Sequence, residues 1–297
     1  MTVLRAAFGD FLEPGLRMAF FDAFGRKEMR YSDVFKLHNS NKRNEKDSYV
    51  TGLGLMPSKG EGVAVTFDDP SQGYDKTYTH QTFALGYKVT AEMYEDELYN
   101  LVDKWNSALA TSAYQRIETD AANVLNRGFD STYTGGDGLE LFSSVHPLVH
   151  GGTEQNELST AADFSDTALE QAIIDIEDTV DDRGLLVGLK AKTVIHPTEL
   201  QFDVAEVLKS VYRPYSADNE INALVGKGLG SLCWPFLTDS NAWFIQCEDH
   251  EMNFFWRRFL NFYQGNDFET RDAKFVADMR YSLGWSDWRG IYGTEGA

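Results

Sequence analysis

Cations are scarce in this 297-residue sequence: 27 lysines and arginines stand against 46 aspartates and glutamates, a formal charge of −19. So acidic a chain repels a polyanion, which argues against a strong, sequence-independent grip on nucleic acid. It fits solubility in salt or in a crowded assembly. Cysteine is nearly absent as well. Cys233 and Cys247 lie fourteen residues apart in a segment that reads as two paired strands. A cross-strand disulfide and two reduced, buried thiols are both open, and neither identifies a compartment. No apolar run approaches the ~20 residues of a membrane span, and no apolar N-terminal stretch follows a basic region. The expectation is a soluble chain with no export signal and no membrane partner.

The motifs of chemistry are missing too. Asp137, His146 and His150 follow no zinc or calcium spacing, and His146 before Pro147 reads as a hydrogen-bonding residue ending a segment. His196 precedes Pro197 at a strand end and has no companion nucleophile. The Gly-Gly-Asp-Gly run at 135–138 lacks the Gly-Lys-Ser/Thr ending of a phosphate loop and any helix directly behind it. Lys59, in a Pro-Ser-Lys-Gly-Glu-Gly turn, reads as a solvated lysine. Catalytic, cofactor-binding and metal residues are each expected to be none.

What is present is organised around residues 90–128. Leu98, Leu101, Trp105, Leu109, Ala113, Ile117, Ala121 and Val124 recur at steps of three or four, which puts one stripe along a helix that no proline or glycine interrupts. Thr90 suits an N-cap, acids fill the first turns, and Gly128 is a stop. At 1.5 Å per residue the helix would reach roughly 55 Å. No other long helix is available to form a bundle with it, so it reads as a spine crossing an elongated subunit.

Before the spine, residues 1–30 predict a helical arm broken at Pro14 and Gly15, with Val3, Leu4, Phe8, Phe11, Leu12, Leu16, Phe20, Phe21 and Phe24 too apolar for free solvent. Packing on its own domain and packing on a neighbouring subunit are both open. Residues 49–55, 63–67 and 81–89 predict strands joined by turn-rich segments, with too small a core to be an independent domain. A projecting β-loop is expected.

After the spine the pattern turns to α/β. Thr167 and Glu170 predict a capping box for a helix with Leu169, Ala172, Ile173, Ile176 and Val180 on one face. A strand at 192–197 follows, then a helix that Thr198 and Gln201 would cap, with Leu200, Val204, Val207 and Leu208 inside. Strands at 232–236 and 243–247 are expected to pair around an Asp239-Ser240-Asn241 turn. The aromatic tail predicts a turn at 264–266 and a long strand at 273–284. Interleaved acids make that tail core or subunit contact rather than a base-stacking platform.

This order of parts resembles the major capsid proteins of tailed bacteriophages, a fold shared with the herpesvirus capsid floor and with encapsulins. The stretches that carry the resemblance are Gly-Leu-Glu-Leu-Phe-Ser-Ser-Val-His-Pro at 138–147, Thr-Val-Ile-His-Pro at 193–197 and the helix at 199–210. They look like the family's "LF…HP" segment and its strand, proline and helix, and are particularly similar to Mu-type head subunits. The resemblance implies an α+β tailed-phage capsid fold. Residues 1–35 would be the N-terminal arm, 36–89 the extended β-loop, 90–165 the spine and first part of a peripheral domain, 166–250 the axial domain and 251–297 the returning peripheral strands.

The function it implies is a non-enzymatic shell subunit that assembles with itself into hexamers and pentamers of an icosahedral head around double-stranded DNA. Its place would be the virion, after assembly in the host cytoplasm. The implied partners are a separate scaffolding protein, since no long charged helical segment precedes the arm, together with a portal and a decoration or cement protein. In some relatives a loop-tip lysine forms an isopeptide bond with an asparagine of another subunit. Lys59 lies in the matching loop, but no partner asparagine or promoting acid is identifiable. Two alternatives stand beside this reading: an encapsulin-like compartment, and a metal-dependent hydrolase using Asp137, His146, His150 or His196.

Overall fold

The computed structural model describes residues 9–90, 92–93, 101–213, 220–267, 269–270 and 272–297. Helix α1 (Gly9–Gly25) runs across Pro14 and Gly15, where the sequence predicts a break. A proline in the helix costs one backbone bond, and here aromatic burial further along offsets it. Phe20 is fully buried and stacks on Phe262 at 5.0 Å, while Leu16, Phe21 and Phe24 pack against the same core. Asn106 Nδ2 donates to the Leu16 carbonyl at 2.7 Å. From Leu16 to Phe24 the arm therefore lies on its own subunit; Val3, Leu4 and Phe8 are outside the described residues.

A short helix α2 (Tyr31–Val34) leads to strands β1 (Lys36–Asn39), β2 (Asn44–Val50), β3 (Gln72–Thr79) and β4 (Gln81–Val89). Strands β2 and β3 form an antiparallel ribbon from Asn44↔Thr79 to Val50↔Gln72. This corrects the expected layout of the loop. Residues 63–67 form no strand and lie exposed, whereas 72–79, which reads as turn chemistry at its start, does. Val63, Val65 and Phe67 have the side chains of a strand, but among the described residues no strand lies beside them to bond to.

Helix α3 (Leu101–Asn126) is the spine, 26 residues long and so about 39 Å in length. Of its predicted span, residues 91 and 94–100 lie outside the described residues. Leu109, Ala113, Ile117 and Ala121 of the expected stripe are buried, together with the polar Asn106 and Glu118. Gly128 closes the helix, its N–H donating to the Leu125 carbonyl at 2.9 Å. A Cβ there would stand 2.5 Å from the Phe142 ring, so only glycine admits this approach.

Strands β5 (His146–Pro147) and β6 (Thr153–Glu154) form a small ladder, followed by helix α4 (Asp166–Asp178), strand β7 (Ala191–His196), helix α5 (Gln201–Lys209) and a 3₁₀ turn (Ala223–Lys227). The chain ends with β8 (Gly230–Cys233), β9 (Trp243–Cys247), β10 (Met252–Asn266), β11 (Ala273–Trp285) and β12 (Ile291–Thr294). Two four-stranded sheets result, ordered β1-β10-β11-β4 and β12-β9-β7-β8. The first packs against α1 and α3, burying Phe254, Phe275 and Tyr281; the second packs against α4 and α5 through Leu169, Ile173, Val194, Val204 and Ile245. The α+β class is as expected.

Three local expectations fail. Strands β8 and β9 do not pair, because the apolar β7 inserts between them, parallel to one and antiparallel to the other. Ser165, not the Thr167–Glu170 box, caps α4 by accepting from Ala168 N at 3.2 Å, and α5 has Leu200 at its N-cap with no side-chain bond. Gln264, Gly265 and Asn266 continue β10 in register with β11, and the turn falls at residues 269–270.

Candidate functional site

The β2–β3 ribbon carries residues 51–71, which leave the body of the subunit. At the ribbon's outer end Thr51 N donates to the Ser71 carbonyl at 2.9 Å, and Ser71 N donates to Thr51 Oγ1 at 2.9 Å. Gly54 N donates to Asp68 Oδ2 at 2.8 Å. Arg183, from the turn after α4, donates to the Gly52 and Asp69 carbonyls and pairs with Asp68 at 3.3 Å. The Gly54 N–H, assisted by Arg183, holds the Asp68 carboxyl below the usual range. Beyond this clamp Leu55, Met56 and Phe67 are 81%, 89% and 90% exposed, alongside Leu53, Val63 and Val65. Six large apolar side chains in water on one loop form a surface that calls for a partner.

At the ribbon's root a buried polar knot joins β2 to β11 through Ser40 and His80, which lie between strands. Ser40 Oγ donates to Glu45 Oε1 at 2.7 Å and lies 3.0 Å from His80 Nε2, while His80 Nδ1 lies 2.9 Å from Ser282 Oγ. Since Ser40 spends its proton on Glu45, Nε2–H donates to Ser40 and Nδ1 accepts from Ser282. Burial lowers the His80 pKa and keeps this neutral tautomer.

A second knot ties arm, spine and α/β lobe. Glu118 of α3 is fully buried; its Oε1 accepts from Arg30 N at 2.8 Å and Tyr31 N at 3.2 Å, and its Oε2 accepts from Trp234 Nε1 at 2.7 Å. Desolvation raises its pKa against the pull of these three donors. The sequence does not single out Glu118: an acid beside the stripe residue Ile117 looks like any solvated acid of a helix face.

The candidate residues of the sequence fall into structural roles. Asp137 and His146 do meet, at 2.7 Å, but the other ring nitrogen faces Asn156 Oδ1 at 3.1 Å and the ring stacks on Trp288 at 4.4 Å. Asn156 Nδ2 in turn reaches the Leu141, Trp288 and Ile291 carbonyls, so this is a packing knot beneath the "LF…HP" segment. His150 lies apart from it, 3.1 Å from Ser71 Oγ. His196 is buried between the Pro197 carbonyl and Ser231 Oγ, both at 2.9 Å, and burial lowers its pKa. Among the described residues no group of three or more His, Cys, Asp or Glu is arranged to hold a metal. Cys233 and Cys247 are free thiols on strands that β7 separates, and burial pushes the Cys247 thiol up to about 12. Lys59 is exposed. No helix among the described residues is long and apolar enough to cross a membrane.

A clamped apolar loop, a spine helix and two sheets joined by buried polar knots define a structural subunit built to meet others. The family model described as "Phage capsid protein" matches residues 73–294, and the chain belongs to that family: it is a capsid shell protein of a virion. Its role there is structural, and it assembles with itself. No curated protein matches it. Among solved structures, the capsid of the cyanophage P-SCSP1u has a TM-score of 0.61 at 10% identity over 92% of this chain and 89% of that one. The capsid of a native GTA particle gives 0.57 at 15% identity over 92% and 93%. A virus-like particle from Pyrococcus furiosus gives 0.54 at 12% identity over 94% and 97%. At such identities the likeness is one of fold.

Proposed function

We propose that this chain is the major head subunit, joining as hexamers and pentamers into an icosahedral shell around double-stranded DNA. In this reading residues 1–35 are the arm, 36–89 the extended loop, 90–165 the spine and first peripheral part, 166–250 the lobe around the capsomer centre and 251–297 the returning strands. β1 and β4, at the two ends of the 36–89 segment, are strands of the first sheet. Assembly takes place in the host cytoplasm with a separate scaffolding protein, a portal, and a decoration or cement protein. DNA is enclosed without sequence-specific contact, consistent with a charge of −19.

The observation that carries the reading is the loop beyond the Arg183 clamp, whose apolar side chains have no cover in one subunit. Many modest contacts of this kind sum to a stable shell while each stays reversible during assembly. The test is electron microscopy of the full chain, expressed alone and with its scaffolding protein. Closed shells that disappear when residues 53–69 are replaced by a short Gly-Ser linker support the reading. Monomers under both conditions overturn it, and shells filled with protein cargo in place of DNA point to a compartment of the encapsulin type.

A further inference from the structure

The first sheet ends on one side at β1, and the outer edge of β1 pairs with no strand among the described residues. Beside that edge lies an apolar groove of about 440 Å³, lined by Phe21, Phe24, Leu37, Trp256, Phe259 and Leu260. Leu37 and Phe259 remain 47% and 57% exposed there. An open strand edge next to uncovered aromatic surface is a template for one more strand.

The same chain contains a strand with no sheet. Residues 63–67 read Val-Ala-Val-Thr-Phe, a β-forming run in which Val63, Val65 and Phe67 share one face at a period of two. All three are exposed, and the run pairs with no strand among the described residues. Its five residues are one more than the four of β1, enough to run the length of that edge. The two features do not meet within one subunit: neither the outer edge of β1 nor residues 63–67 pair with a strand among the described residues. The seven residues of β2 make the ribbon about 24 Å long. Arg183 then fastens the loop base at that far end, against the turn after α4.

We infer that residues 63–67 of one copy add as a strand to the free β1 edge of a second copy, with Val63, Val65 and Phe67 entering the groove beside Leu37 and Phe259. The inference rests on the loop acting between subunits and names its receptor. Backbone bonds to β1 supply affinity, and the alternating apolar side chains fix the register, since a one-residue slip would turn Ala64 and Thr66 into the groove.

The test uses the full chain. Leu37→Cys combined with Val65→Cys, in shells oxidised and run on non-reducing denaturing gels, is expected to give linked dimers and higher species about tenfold above either single variant, reversed by thiol. Intact shells with no excess of linked species overturn the assignment. In parallel, Val65→Asp and Phe259→Asp, both at exposed positions and checked by thermal melts of free subunits, are each expected to lower shell yield about tenfold. Loss with Val65→Asp alone leaves the loop reading standing and removes β1 as receptor. Normal yield with both removes the loop reading as well.

Discussion

Glu118 occupies a position where its neighbours Ile117, Ala121 and Ala122 are apolar, and its carboxylate is kept there by three N–H donors from parts of the chain far apart in sequence. Replacing it orphans those donors, so Glu118→Ala should destabilise the subunit by about 3 kcal/mol or more, read from the urea midpoint. Glu118→Gln should not restore it, because an amide that keeps its oxygen on Arg30 and Tyr31 N–H turns its NH₂ toward the Trp234 N–H. The buried histidines make a pH prediction. Burial, with Lys36 nearby, lowers His250 to about 4, and burial also lowers His80 and His196. Between about 6.5 and about 4 the unfolded chain binds more protons at His250 than the folded one, so stability is lost as pH falls. At pH 5 the His250 share is about 2 kcal/mol, somewhat less because the ring is partly exposed, and His250→Gln should shrink the loss between pH 7 and pH 5 by that amount. Glu118 works the other way. Its raised pKa gives stability that is present below the unfolded value of 4.5 and lost as pH rises through the folded one, so it softens the acid limb.

At the scale of elements, the arm is the part whose expected behaviour changes most. Phe20 lies between Phe21 and Phe262 in the subunit's own core, so removing residues 2–25 would strip packing from the free subunit as well as contacts from the shell. Phe20→Ala should cost about 3–5 kcal/mol, and Met18→Ala, at a position 67% exposed, should stay within about 0.5 kcal/mol. Equal midpoints for the two variants would refute this placement of α1. The loop should behave oppositely: amides of residues 52–70 should exchange fast in free subunits and slowly in shells, and equal protection in the two states would count against a role between subunits. Other elements show what the sequence can and cannot disclose. The spine was legible because its stripe is local, repeating every three or four residues through Leu109, Ala113, Ile117 and Ala121. The long β11 was legible because Phe275, Ala277, Met279 and Tyr281 alternate inward. Strand partnership was not, since it depends on chain brought from elsewhere. Nothing near Cys233 or Cys247 says that β7 comes between their strands, and nothing in residues 63–67 says that no strand lies beside them. The buried polar knots escaped for the same reason. Glu118 finds its donors 88 positions upstream and 116 downstream, and a carboxylate's meaning is set by what surrounds it.

At the scale of the whole molecule, the question is how many such subunits hold together once closed. Covalent joining through Lys59, which the resemblance to tailed-phage capsids brings into view, needs a neutral amine as nucleophile: the lysine must be desolvated against apolar surface, with an asparagine alongside and an acid to take its proton. Lys59 is instead exposed between Ser58 and Gly60, just before the Glu61–Gly62 turn, rather than desolvated against apolar surface. Beyond Gly52, Asp68 and Asp69, which Arg183 fixes, the loop offers a neighbour the apolar run at 63–67 and the Leu53, Leu55 and Met56 limb. Apolar burial at every loop, repeated around closed rings, supplies cohesion without a bond, because each contact adds to the others through the geometry of the shell. Mature particles boiled in detergent and reductant should therefore run as a single band at the 33.5 kDa monomer mass. A ladder of multimers that collapses to that band in Lys59→Ala particles would show that the shell is cross-linked after all.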